Sequence, residues 1–154
     1  MAAHDVQIEI VDSVPLAVVR RQASQAELAS LVPECCGLVW EAMRSQRVKA
    51  GRHVALYWDG SIRLEVGVEL QGPFTDDGEV VASATPAGTV AMTTHIGPYA
   101  GLGAANDAVA RWCAANSRRL AGPSWEIYGH WQDAWNNDPT QIRADVYYLL
   151  ARSS

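Results

Sequence analysis

Glu126 lies in Trp125-Glu126-Ile127-Tyr128-Gly129-His130-Trp131, where aromatic and β-branched residues alternate after the turn signal Ala121-Gly122-Pro123-Ser124. Such alternation is the pattern of a β-strand, whose side chains point to opposite faces in turn. Trp125 and Ile127 therefore share one face, and Glu126, Tyr128 and His130 the other. A carboxylate among aromatic rings is costly unless a cation or a hydrogen-bond donor meets it. Two chemistries fit these groups. Aromatic faces attract a delocalised cation that the carboxylate neutralises. Alternatively, Glu126 could act as a general base on water, with a tyrosine hydroxyl as acid, in hydrolysis of a strained electrophile. The first needs only a carboxylate and rings, so binding is the leading expectation.

Other reactive side chains offer less. His95 and His130 stand alone, with no second ligand at metal spacing, and neither a metal nor a cofactor is expected. The cysteines Cys35, Cys36 and Cys113 are odd in number and read as core thiols. Gly101-Leu102-Gly103 is too short for a phosphate loop. Six Trp and five Tyr against one Phe favour half-wet cavities, since Trp and Tyr join an apolar face to a polar edge. A net charge of −5 without a basic cluster argues against a nucleic-acid surface and leans towards cationic ligands. At 154 residues the chain fits one domain over 1–154, large enough for a normal core. Neither a signal peptide nor a membrane span is apparent, which makes the cytoplasm the expected location.

Several elements must position Glu126. Val14 to Arg21 reads as a strand after a short one at Val6 to Glu9. Leu28, Leu31, Val32, Cys35, Val39 and Met43 form a helical stripe broken by Pro33, which predicts a helix from about Pro33 to Arg47. His53 to Trp58 and Ile62 to Leu70 flank an Asp59-Gly60 hairpin signal. Residues 71–78 read as a linker. Val80 to Thr94 is strand-like, and a helix is expected from about Tyr99 to Asn116, striped by Leu102, Ala105, Val109 and Cys113.

This second half repeats the first. The second stripe follows Leu28, Leu31, Cys35 and Val39 at an offset of 74, Tyr128 follows Tyr57 at 71, and Val146 follows Val66 at 80. Pro86 and Val90 likewise follow Pro15 and Val19 at 71. The expected fold is α+β: two βαββ repeats (about 6–70 and 79–151) in an antiparallel-dominated sheet, both helices on one face and a ligand cleft between the repeats on the other. By parity Trp58 joins Val54 and Leu56 on the helix-packed face, whereas Tyr57 faces the cleft.

The ordered set His95-Ile96-Gly97-Pro98-Tyr99, Leu102, Trp112, Ala121 to Tyr128, Asp138-Pro139 and Asp145-Val146-Tyr147, with Leu64-Glu65-Val66-Gly67-Val68 earlier, resembles the GyrI-like domain. That family takes in a gyrase-inhibitor protein and the effector domains of AraC-type and MerR-type multidrug regulators. The resemblance implies two βαββ repeats and a ligand cleft holding Glu126 and the last-strand Tyr147. Tyr128, Tyr57, Trp40, Tyr99, Trp131 and Trp135 complete the candidate walls. Planar aromatic or cationic small molecules are the implied partners, bound or sequestered. Hydrolysis of cyclopropane-bearing toxins by Glu126 with Tyr147 is the alternative, and modulation of a protein partner a third reading. Only about five residues precede the first strand, so no DNA-binding domain is expected.

Overall fold

A computed structural model describes residues 4–22, 28–58, 63–98, 101–129 and 134–151, with backbone alone for 28–33 and 135. The strands are β1 (Gln7–Val11), β2 (Pro15–Gln22), β3 (Ala50–Tyr57), β4 (Arg63–Leu70), β5 (Val80–Ala84), β6 (Gly88–Ile96), β7 (Leu120–Tyr128) and β8 (Arg143–Leu150). The helices are α1 (Leu28–Gln46), α2 (Leu102–Ala115) and the short α3 (Ala134–Asn137), the last followed by a 3-10 turn, Pro139–Gln141. The Asp59-Gly60 turn lies outside the described residues.

All eight strands form one antiparallel sheet in the order β1-β6-β8-β7-β3-β4-β2-β5. Read from either end, this order meets equivalent strands of the two repeats in turn, so a pseudo-two-fold passes between β3 and β7. With β4 mapped onto β8 at the offset of 80 that relates Val66 to Val146, the strand pairing fixes the offsets of the other strands. Val18 opposite Val81 becomes Met92 opposite Gln7, and Ala17 opposite Val68 becomes Ala91 opposite Tyr148. Thus β2 maps onto β6 at 74, not at the 71 suggested by Pro15 and Pro86; an odd offset would turn Val19 to the wrong face.

Three local expectations change. The stretch Val80 to Thr94 is two strands: β5 pairs with β2 in the first half of the sheet, whereas β6 pairs with β1 and β8. Each repeat therefore lends its leading strand to the other half. Helix α1 begins before Pro33 rather than at it. Proline near a helix start forfeits one ladder hydrogen bond, which the buried stripe Cys35, Val39, Ala42 and Met43 outweighs at roughly 1.5–3 kcal/mol per large side chain. Strand β7 begins upstream of Gly122-Pro123. Pairing with β8 shifts between Leu120 and Ser124, where Gly122 takes φ 121°, a backbone state that L side chains avoid, and Pro123 lacks an N–H.

Both helices cover one face. α1 packs on Ala17, Val19, Leu64, Val66 and Val68, and α2 on Ala91, Ala144, Val146 and Leu150. The opposite face carries a third cluster, with Leu16, Val18, Val54, Leu56, Val90, Met92, Trp125 and Ile127 buried. At Gly67 a Cβ would lie 1.8 Å from the Ala17 carbonyl oxygen. Strand β2 thus turns over that face, and only glycine fits beneath it.

Candidate functional site

Glu126 faces the helices. Its cross-strand neighbours are Ala55 on β3 and Val146 on β8, and Val146 lies under α2. The expected grouping of Trp125 with Ile127 and of Glu126 with Tyr128 holds, but the faces are exchanged. Val54 and Leu56, with Trp58 packed against them, lie on the helix-free side, and Tyr57 on the helix side. Both faces are apolar, so alternation alone does not tell which one receives helices. Because α1 covers β2, β4 and β5 while α2 covers β6 and β8, the central strands β3 and β7 form the floor of a seam between the two helices. Glu126 and Tyr57 thus face this seam, not the open face expected to hold a cleft.

Glu126 is only 6% exposed, and its carboxylate is held by neutral groups. Tyr128 Oη donates to Oε1 at 2.7 Å, and Asn106 Nδ2 donates to Oε2 at 2.9 Å. The other Asn106 Nδ2 hydrogen goes to the Leu102 carbonyl at 2.9 Å, and its Oδ1 accepts from Tyr148 Oη at 2.8 Å. Two acceptors at Nδ2 fix the orientation of the amide. Tyr57 also hydrogen-bonds Glu126, and its phenol is raised far above the usual range, first by burial and then by the Glu126 charge. Burial and then the same charge push Tyr148 up to about 12. None of the ion pairs among the described residues includes Glu126. Three neutral donors thus meet a buried carboxylate that has no counter-charge among the described residues.

At the α1 side, Trp40 is 42% exposed, and its Nε1–H donates to His53 Nε2 at 3.1 Å. His53 lies opposite Tyr128 in the sheet, so this pair forms the rim next to the carboxylate network. Tyr147 is not part of it. It stacks on Trp125 on the helix-free face, with ring centroids 5.4 Å apart. The last-strand tyrosine that joins the network is its neighbour Tyr148, since Glu126 pairs with Val146 and parity sends residue 148, not 147, to the helix side. Tyr99 and Trp131 lie outside the described residues, as does the side chain of Trp135.

Asn106, Tyr148 and His53 were not singled out from the sequence. Asn106 follows Leu102 by four residues at the margin of the α2 stripe, so its position carried a signal: a polar side chain at the edge of a buried face. His95 is structural. Its Nε2–H donates to the Pro98 carbonyl at 2.9 Å, leaving Nδ1 to accept from His4 Nε2 at 3.1 Å. No group of three or more metal-ligating side chains occurs among the described residues. Cys35 and Cys113 are buried and Cys36 half-buried, with burial raising all three thiols. Among the described residues no helix is long and apolar enough to cross a membrane.

Residues 4–150 match the model of the GyrI-like small molecule binding domain. No curated protein matches the chain. Among solved structures, the chain is similar to the EcmrR C-terminal domain (TM-score 0.79, 16% identity, covering 97% of this chain and 99% of that one). It is equally similar to EcmrR in its complex with DNA (TM-score 0.79, 17% identity, 98% of this chain), and spans 59% of the length of that protein. SAV2435, solved with tetraphenylphosphonium, is similar with a TM-score of 0.68 at 11% identity, over 96% of this chain and 94% of that one. At these identities the likeness is one of fold.

Proposed function

This chain belongs to the GyrI-like family of small-molecule-binding domains, and from that premise we propose that it binds aromatic cations in the seam between α1 and α2. The observation that carries this reading is Glu126: a buried carboxylate whose hydrogen bonds come from neutral donors, with no ion pair among the described residues. A lipophilic cation would supply the missing counter-charge where screening by water is weak. Tyr57 and Tyr128 bring aromatic rings beside the carboxylate through their hydroxyl bonds to it, and Trp40 stands at the rim. A site of one charge and several rings recognises a class of shapes rather than one molecule, so a broad range of ligands and a sequestering role follow. The cation that accompanies SAV2435 in its structure belongs to this class.

Calorimetry with tetraphenylphosphonium and with neutral triphenylphosphine oxide tests the reading. Glu126→Gln should weaken the cation by about 1–3 kcal/mol and leave the neutral compound nearly unchanged, since only the cation loses a charge-assisted contact. Equal losses for both, or none, would remove the basis of the proposal.

A further inference from the structure

The two edges of the sheet are equivalent by the internal repeat but finished differently. At the β5 edge, the Ala82 N–H donates to Asp76 Oδ1 at 2.8 Å, and Val80 exchanges two backbone hydrogen bonds with Asp77. That edge is closed by its own chain. Strand β1 corresponds to β5 at the same offset of 74, so Ile8 and Ile10 stand where β5 has Ala82 and Ala84. Among the described residues, nothing hydrogen-bonds the outer side of Gln7–Val11. Ile8 is 39% and Ile10 83% exposed. The strand is nonetheless held in place at its start, where Thr93 Oγ1 donates to the Asp5 carbonyl at 2.7 Å and His4 bonds His95. A bare, fixed edge with two exposed isoleucines, no proline, no lysine and no bulge is a template for another strand.

We propose that β1 is the interface for a second copy of this chain, which adds antiparallel to it and continues the sheet across a two-fold axis at Ile8. Self-complementarity selects this partner and register. By equivalence with Val80 and Ala82, the outward backbone groups of β1 belong to Val6, Ile8 and Ile10. An axis at Ile8 pairs Ile8 with its own copy and Val6 with Ile10, which aligns those groups for ladder bonds and gathers the exposed side chains. On the other face the same register sets Gln7 opposite Glu9, an amide meeting a carboxylate. An axis at Glu9 would oppose two carboxylates, and one at Ile10 would set Ile8 against Asp12. Five residues from each copy make less than a standard interface, so the dimer is reversible and depends on concentration.

Sedimentation equilibrium over a concentration series should show the mass rising from 16.7 kDa towards twice that value. Ile10→Lys, at a position too exposed to matter for folding, should weaken the dimer about tenfold or more, while Ala82→Lys on the closed edge should change nothing. In a Cys36→Ser background, Ile8→Cys should cross-link to its own copy on oxidation. Ile10→Cys should not, lying roughly 13 Å from its counterpart across four residues of strand rise. A constant monomer mass, a dimer insensitive to Ile10→Lys, or cross-linking through Ile10→Cys in preference to Ile8→Cys would overturn the proposal.

Discussion

Glu126 and Asn106, one on the central strand β7 and the other on α2, are joined at 2.9 Å, so the carboxylate of the seam ties the sheet to the helix above it. Asn106 then passes the connection to Tyr148 on β8. The group suited to meeting a cation is thus also part of the internal packing, and any ligand reaching it must displace neutral donors.

Asn106→Ala should therefore destabilise the protein by about 1–3 kcal/mol at pH 7, because both Glu126 and Tyr148 lose a buried partner. The loss should be smaller in a Glu126→Gln background, where no charge is left short of a donor, and urea unfolding of the four proteins measures the coupling. Strict additivity would mean that the network does not act as a unit.

High pH should expose the tyrosines of the seam. Their folded phenols sit above the unfolded value near 10, Tyr148 at about 12 and Tyr57 higher still. A raised acid pKa means that the folded state holds its protons longer. This contribution to stability is whole below about pH 10 and is lost as pH rises through the folded values. Unfolding followed from pH 9 to 12 should show that decline, and Tyr148→Phe should make it shallower. An unchanged slope would place Tyr148 in water.

Tyr57 and Tyr147 should respond oppositely to truncation. Tyr57→Ala removes a ring beside Glu126 and should weaken an aromatic cation by about 1 kcal/mol or more. Tyr147→Ala should leave that affinity unchanged while lowering stability by about 1–3 kcal/mol, since it loses its stack on Trp125. Calorimetry and thermal melts on both variants separate the two roles. A loss of affinity with Tyr147→Ala would bring the helix-free face into the site.

These contrasts mark what the sequence could express. The α2 stripe Leu102, Ala105, Val109 and Cys113 is buried as its spacing predicts, because a 3.6-residue period has one apolar side. Parity separated Trp125 from Glu126 for the same kind of reason. It could not orient the sheet: Val54 and Leu56 are as apolar as Ala55 and Val66, and both faces are buried. The exchange of β1 and β5 between the halves was also hidden, since a repeat offset says which strands correspond but not which ones pair. The choice between Tyr147 and Tyr148 needed the register of β7 against β8, which depends on the bulge at Gly122-Pro123.

The hydrolytic alternative makes its own demand on these groups. A general base needs a lone pair aimed at water, and a general acid needs a phenol that gives up its proton near neutral pH. Each Glu126 oxygen already commits one of its two lone pairs to a hydrogen bond, from Tyr128 or Asn106, which narrows the directions from which water can approach. The phenol of Tyr148 is held at about 12, some five units above neutrality, which makes it a weak acid for that task. Incubation with cyclopropane-bearing electrophiles in 18O-labelled water, followed by mass spectrometry, should accordingly show no label in product beyond the buffer control. Cationic members of the same panel should still bind, and Glu126→Gln should weaken them. Multiple turnovers abolished by Glu126→Gln would instead make Glu126 a base, and would require Tyr128 or Asn106 to swing away when substrate enters the seam.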